Sequence, residues 1–324
     1  MNRREFLLAV GATACGGSGA SVQPPRVGGD AAGDAAAIVD VEAWTNLDDS
    51  PLAIEGDVLV ERVGDQLWQW DLATMRRTGV LAVPARSFTV LSDRSVVAWE
   101  QCTAYRIVGG APTTHTAVAC AGGGALVRRA GTNDAIYVVR ADRVVRFRFA
   151  GAALDEDASF TLPAPSPSGF GQIASLDDGR LVVPRGGGVA IVKPDTQPVL
   201  HTTKHQPRHL ARAASGYWYS YAATDRRRVD TVVLVGTRDV VIALAPARIV
   251  HMATYGDTLA LLLATGVDEW QVAVVEAGRE RWRAPVPTRD GAVGLSATRL
   301  VLHSSAGLRA WDAGTGAVVD VTRP

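Results

Sequence analysis

The sequence predicts an all-β fold, a seven-bladed β-propeller of four-stranded antiparallel blades, and three observations predict it. Short runs rich in Val and Leu recur at a step of about 40 residues, the period of a propeller blade. A turn residue stands just before each run. Two copies of one pattern, L-x-x-W-D-x-x-T, lie a whole number of such steps apart.

The turn residues are Asp57, Asp93, Asn133, Asp178, Ser215, Asp257 and Thr298. Each precedes a hydrophobic run, at 58–60, 96–99, 136–139, 181–183, 217–221, 259–263 and 300–302, as expected of the hairpin joining the first two strands of a blade. Neighbouring turns are 36 to 45 residues apart and the series covers 241 residues. The stretches 67–74 and 308–315, which carry the L-x-x-W-D-x-x-T pattern, are separated by the same 241 residues. That distance is six steps, hence seven blades, with six and eight as the neighbouring counts. Weaker apolar anchors fall at the matching places, Tyr105, Phe147, Val192, Val235 and Val275. Runs such as 259–264 and 231–235 are almost continuously apolar, as strands covered on both faces should be. They are too short, too rich in Val and too closely bounded by Gly, Asp and Pro to be helices.

The N-terminus reads as an address. Arg3 and Arg4 form a charged region, residues 6–14 are mostly small and apolar, and Ala12-Thr13-Ala14 supplies small residues for cleavage. Arg3-Arg4-Glu5-Phe6-Leu7 resembles the twin-arginine export signal, and without a downstream Lys the general secretory route stays open. The residues before Cys15 resemble the lipobox of bacterial lipoproteins, which implies lipidation of Cys15 and a mature chain that begins there; the alternative is an ordinary signal-peptidase site with Cys15 unmodified. Gly16 in place of Asp after that cysteine weakly resembles outer-membrane sorting. The expected organisation is a signal peptide over 1–14, a flexible tether rich in Gly, Ala and Pro over 15–36, and a single propeller over 37–324. Past the first residues no apolar run reaches the 18 or so needed to cross a bilayer, so the lipid is the expected membrane contact.

The stretch 307–316, Gly-Leu-Arg-Ala-Trp-Asp-Ala-Gly-Thr-Gly, is similar to the repeat of quinoprotein-like propellers, in which the Trp and Asp help lock adjacent blades. Joined to a lipoprotein signal, the propeller also resembles the outer-membrane-protein assembly lipoprotein family, whose members usually have eight blades.

Composition narrows the chemistry. The 33 basic residues balance 33 acidic ones, so the footprint needed to bind a phosphate backbone is missing and nucleic acid is not an expected partner. His201, His205 and His209 would align on a helix as zinc ligands, but Pro207 breaks that helix. In an extended strand the spacing puts neighbouring His about 13 Å apart, too far to share a metal, so a polar connection between blades four and five is expected. Tyr217, Tyr219 and Tyr221 share one strand face and are expected to pack between blades rather than form a ligand platform. Arg226-Arg227-Arg228 reads as a solvated hairpin tip, and Asp155-Glu156-Asp157 as an acidic turn without the Gly and closing acid of a calcium loop. The runs 122–124 and 186–188 are glycine turns, since no Lys-Ser or Lys-Thr follows them. The sequence gives no catalytic set, cofactor site or metal site. It therefore points to a lipid-anchored binding or scaffold module of the cell envelope that meets a protein partner or other ligand. The alternative is an exported enzyme using the propeller funnel, a glycan hydrolase or lyase or a quinone-dependent oxidoreductase.

Cys102 and Cys120 lie symmetrically about Ala111, within the turn Gly109-Gly110-Ala111-Pro112. A hairpin centred there would set them opposite each other across adjacent strands, close enough for twist to close a disulfide. The bond can persist outside the cytoplasm. Thiol labelling of the unfolded, unreduced protein should then modify neither residue; labelling of both would refute the bond.

Overall fold

Runs of β-branched and apolar residues, cut every few positions by Gly, Asp or Asn, can satisfy their backbone only by pairing with one another, and here they do so in seven separate sheets. The computed structural model describes residues 50–322 apart from 86, 101–102, 117–125, 131–133, 141, 151–152, 165–171, 194, 215, 223–229, 236–239, 244–246 and 288–290. Cys15 and the expected signal and tether lie outside the described residues.

Blade 1 is β1 (Leu52–Glu55), β2 (Val58–Val63), β3 (Gln66–Asp71) and β4 (Arg76–Leu81). Blade 2 is β5 (Ser87–Val90), β6 (Val96–Glu100), β7 (Thr103–Val108) and β8 (Ala111–Thr116). Blade 3 is β9 (Leu126–Ala130), β10 (Ala135–Val139), β11 (Arg143–Ala150) and β12 (Ala153–Thr161). Blade 4 is β13 (Ala174–Ser175), β14 (Leu181–Arg185), β15 (Gly188–Lys193) and β16 (Thr196–Thr202). Blade 5 is β17 (His209–Ala213), β18 (Gly216–Ala222), β19 (Asp230–Val235) and β20 (Val240–Ala243). Blade 6 is β21 (Arg248–Tyr255), β22 (Thr258–Ala264), β23 (Trp270–Glu276) and β24 (Arg279–Val286). Blade 7 is β25 (Ala292–Leu295), β26 (Arg299–Ser304), β27 (Gly307–Asp312) and β28 (Val318–Val319).

Every pairing within a blade is antiparallel and runs in sequence order, so the protein is a seven-bladed β-propeller. The first strands line the axis, with β1 meeting both β5 and β25. We call the end where first strands begin the leading face, and the end carrying the first hairpin turn of each blade the turn face. Asp57, Asp93, Asp178, Asp257 and Thr298 all sit in those first turns, while Asn133 and Ser215 lie outside the described residues. Tyr105, Phe147, Val192, Val235 and Val275 all fall on third strands, as the period required. No helix among the described residues is long and apolar enough to cross a membrane.

The core is not one mass but seven apolar seams, each shared by two consecutive blades. This is why β10 and β14 are buried at every position, whereas the outer β16 is largely exposed. Trp70 and Trp311 fill the seams between blades 7 and 1 and between blades 6 and 7. Behind each Trp, the Asp of the shared pattern ties its exit turn. Asp71 Oδ1 accepts the Thr74 amide and hydroxyl, both at 2.7 Å, and Asp312 Oδ1 accepts the Thr315 amide and hydroxyl, both at 2.9 Å. Both carboxyls are held below their usual value, Asp71 chiefly by the Thr74 hydroxyl and Asp312 chiefly by the Thr315 amide. Gly316 then follows at φ 74, where a Cβ would lie 2.8 Å from the Trp282 ring. Only glycine combines that backbone with that contact.

The β7–β8 hairpin corrects one expectation. Val108 faces Ala111 and Thr103 faces Thr116, so the ladder is centred between Gly109 and Gly110 rather than at Ala111. Two glycines at φ 56 and 84 make the tighter turn possible. Cys102 and Cys120 themselves lie outside the described residues.

The ring closes between blades 7 and 1. Leu52, Leu59, Trp70 and Met75 pack against Ala292, Val301, Leu308 and Ala310. Within this seam Glu61 is almost fully buried, accepts Trp70 Nε1–H at 3.1 Å and lies 2.7 Å from His303 Nδ1, which donates to it. Beyond β28 the chain crosses to blade 1, where the Thr322 amide donates to the Met75 carbonyl at 3.1 Å. Replacing Glu61 by Ala strands the buried Trp70 donor and the half-buried His303 donor, so Glu61→Ala should lower the stability to urea by about 2 kcal/mol. Glu61→Gln, which keeps an acceptor, should lose less; equal losses would show that the carboxylate fills space and nothing more.

Candidate functional site: the central channel

First strands of neighbouring blades do not pair, because each sheet stops at its own first strand. They instead enclose a channel with a cavity of about 460 Å³. Its wall combines apolar groups from Ile54, Phe88, Val90, Ile173 and Val293 with hydroxyls from Ser50, Thr89, Ser175 and Thr254. The charged residues on it are Glu55, Asp177 and Arg212. Arg212 Nη1 lies 2.7 Å from Asp177 Oδ1, so these two are spent on each other across the seam between blades 4 and 5. The hydroxyl oxygen of Ser175 is buried without a hydrogen-bond partner among the described residues.

At the leading end, side chains supply the hydrogen bonds that the strands cannot make to one another. His209 of β17 lies with Nε2 3.1 Å from the Ile249 carbonyl of β21 and therefore donates from that nitrogen. His251 of β21 faces the Val293 amide of β25 with Nδ1, at 3.3 Å. Gln172, just before β13, spans further: its Oε1 accepts the Met252 amide at 2.9 Å and its Nε2 donates to the Met252 carbonyl at 2.8 Å. The same nitrogen lies 3.1 Å from His251 Nε2. All three side chains are buried, so these bonds act where water cannot compete for them. At the turn face a second series of links joins blade to blade. Asp57 pairs with Arg94 at 2.9 Å, Asp134 accepts the Ser92 amide at 3.0 Å, the Tyr137 hydroxyl donates to the Gly179 carbonyl at 3.2 Å, and Asp257 accepts the Ala214 amide at 3.0 Å.

The structure separates the residues that the sequence singled out. His201 lies on β16 and is exposed, His205 stacks on Tyr221 with ring centroids 4.0 Å apart, and His209 is the channel pin just described. The three therefore do not converge, and only His205 sits in the connection itself. Among the described residues no three of His, Cys, Asp or Glu come together to hold a metal. Tyr217 and Tyr219 pack in the seam between blades 4 and 5, with Tyr221 against its edge, as expected. The triplet 155–157 is not a turn: it lies within the outer strand β12. There Asp157 holds Arg146 Nε and Arg148 Nε, each at 2.7 Å, because a strand edge facing water accepts charges as readily as a loop does. The 186–188 turn joins β14 to β15, and Gln206 clasps it by accepting the Gly187 amide at 3.0 Å. A Cβ on Gly188 would meet the His201 carbonyl oxygen at 2.1 Å. The 122–124 run and Arg226 to Arg228 lie outside the described residues.

Sequence reasoning missed Gln172, His251 and the Glu61–His303 contact. The available signal was a polar residue within a mostly apolar run, as Glu61 in 58–63 and His251 in 249–253.

The chain matches no known protein family, and it matches no curated protein. Among solved structures it is similar to hydrazine synthase of Kuenenia stuttgartiensis, with a TM-score of 0.59 at 11% identity over 91% of this chain and 100% of that one. It is similar to virginiamycin B lyase of Staphylococcus aureus, with a TM-score of 0.54 at 12% identity over 79% of this chain and 92% of that one. It is also similar to BBS1N solved in complex with ARL6DN, with a TM-score of 0.55 at 14% identity over 80% of this chain and 91% of that one. At such identities the likeness shows the β-propeller fold alone.

Burial pushes the His209 imidazole down to a pKa of about 4, the charge of Arg208 adds to that, and the Ile249 carbonyl works against both. Nδ1 has no partner among the described residues, so a second proton would find no acceptor. A folded pKa below the ordinary value of about 6.5 means that the unfolded chain takes up the proton first as pH falls. The stabilisation is therefore complete above about pH 6.5 and is lost as pH falls from there towards 4, by at most about 1.4 kcal/mol per pH unit. Urea midpoints for wild type and His209→Gln should converge across that window; parallel curves would refute the assignment.

Proposed function

We propose that the protein is a binding scaffold of the bacterial cell envelope, held by a lipid on Cys15 and presenting its propeller to a protein partner. The observation that carries this reading is the use made of polar groups around the channel. Arg212 is bonded to Asp177, His251 to the Val293 amide, Gln172 to Met252 and His209 to Ile249, so the groups best placed for chemistry are spent on joining blades. The outer faces and seams are left to carry recognition. The solved complex of BBS1N with ARL6DN, a similar propeller with a partner chain, fits this reading. The export signal and the lipobox-like residues before Cys15 supply the location, most consistently the outer membrane.

A second reading has its own support. The channel volume of about 460 Å³ suits a small ligand, and one similar structure is a lyase, so an exported enzyme working in the funnel is the alternative. Crosslinking in native membranes followed by partner identification, beside an activity screen on glycans and alcohols, separates the two. A specific partner is the expected result; turnover abolished by a Ser175→Ala change, with no partner recovered, would overturn the scaffold reading. A mass spectrum of the mature N-terminal peptide should show an acylated Cys15, and an unmodified Cys15 would remove the anchor.

A further inference from the structure

A cleft of about 320 Å³ opens on the turn face at the seam between blades 2 and 3, lined by Leu91, Arg106, Asp134, Arg148 and Phe149. Two guanidinium groups border it, and each is held by a carboxylate. Arg106 gives Nη2–H to Asp93 Oδ2 at 2.7 Å and Nε–H to Ser95 Oγ at 3.4 Å, and its guanidinium lies 4.5 Å from the centre of the Phe149 ring. Arg148 gives Nε–H to Asp157 Oδ2 at 2.7 Å, while Asp157 also holds Arg146. Nη1 of Arg106 and both terminal nitrogens of Arg148 make no bond among the described residues. The third charge in the cleft, Asp134, is occupied: it accepts the Ser92 amide at 3.0 Å and the Ser92 hydroxyl at 2.5 Å.

A guanidinium fixed by a carboxylate at one edge keeps its other donors in a fixed fork. Such a fork loses less side-chain freedom on binding than a loose one and suits planar, two-oxygen recognition. Leu91 and Phe149 put an apolar wall beside these donors. Asp93 and Asp157 offset much of the charge of the arginines and Asp134 adds a negative one, so the cleft offers directional donors rather than a strong positive field. The unused N–H donors beside an apolar wall favour a small anionic group on a short stem next to an apolar side chain.

We propose that this cleft recognises a carboxylate next to an apolar side chain, as presented by an acidic segment of a protein partner. The proposal rests on the scaffold reading for its occupant, though not for its chemistry.

The test uses the full mature chain and a fluorescently labelled, acetylated Ala-Asp-Phe-Ala amide. Binding should be measurable by anisotropy, weaken as salt is raised, and fall about ten-fold when Asn replaces Asp in the peptide. Arg148→Gln should weaken it by a similar factor with the urea midpoint unchanged, because Asp157 keeps Arg146. Arg180→Gln, on the same face at blade 4, should bind as wild type. Equal binding of the Asp and Asn peptides, or no effect of Arg148→Gln, would overturn the site. Inorganic phosphate binding through Arg148 without peptide binding would overturn the acidic-segment assignment. In native membranes, partner crosslinking that survives Arg148→Gln would overturn this cleft and leave the scaffold reading standing. Peptide binding with no partner recovered from wild type would overturn the scaffold reading and leave the cleft.

Discussion

The whole structure depends on closing a ring without a covalent bond. Each blade buries its faces only against its two neighbours, so a single open seam would expose apolar surface on the first and last blades together. In this chain every blade is built from one continuous stretch, and no strand is exchanged between the two ends among the described residues. Closure therefore falls on side chains. Leu52, Trp70 and Leu308 supply the apolar contact, Glu61 ties Trp70 to His303, and the residues after β28 reach over to β4. Arg299 adds a bond from blade 7 to the Ala73 carbonyl of blade 1 at 3.2 Å. A buried carboxylate is costly unless its oxygens are engaged; here one oxygen accepts from Trp70 and the other from His303, and a misaligned ring would lose both.

The same constraint explains what could be read from the sequence. Blade count and strand order were legible, because each seam needs apolar residues on both strand faces and each hairpin needs a turn residue, and both leave a local mark every 40 residues or so. Asp57, Asp93 and Asp257 mark first turns because a short carboxylate accepts nearby or cross-seam donors there. The channel was not legible. Gln172 meets Met252 and Glu61 meets His303 across large sequence separations that only ring geometry brings together. The acidic triplet 155–157 was misplaced for a related reason: charge pattern reports exposure, and an outer strand is as exposed as a turn.

Seven sheets create seven outer edges, each with unpaired backbone groups open to another chain. The sequence handles them in different ways. Pro112, Pro198 and Pro285 remove donors on β8, β16 and β24, and β12 carries Asp155, Glu156 and Asp157. β4 begins with Arg76 and Arg77 and is covered at its start by the chain around Thr322. Edges so treated are poor templates for strand addition, which leaves the rim unsuited to pairing with another chain.

On those faces the two ends of the channel differ in kind. At the leading end, His209, His251 and Gln172 are buried and act between backbones, so changing them alters how blades hold together before it alters any surface. At the turn face, apart from the Tyr137 hydroxyl bonded to Gly179, the links are ion pairs and turn carboxylates with solvent on one side, individually weak and screened by salt. A surface made of weak, partly exposed pairs can trade one partner for another at small cost, since a guanidinium braced by a single carboxylate keeps further donors to offer. The buried end fixes the ring, and that rigidity holds the charged groups of the exposed end in constant positions.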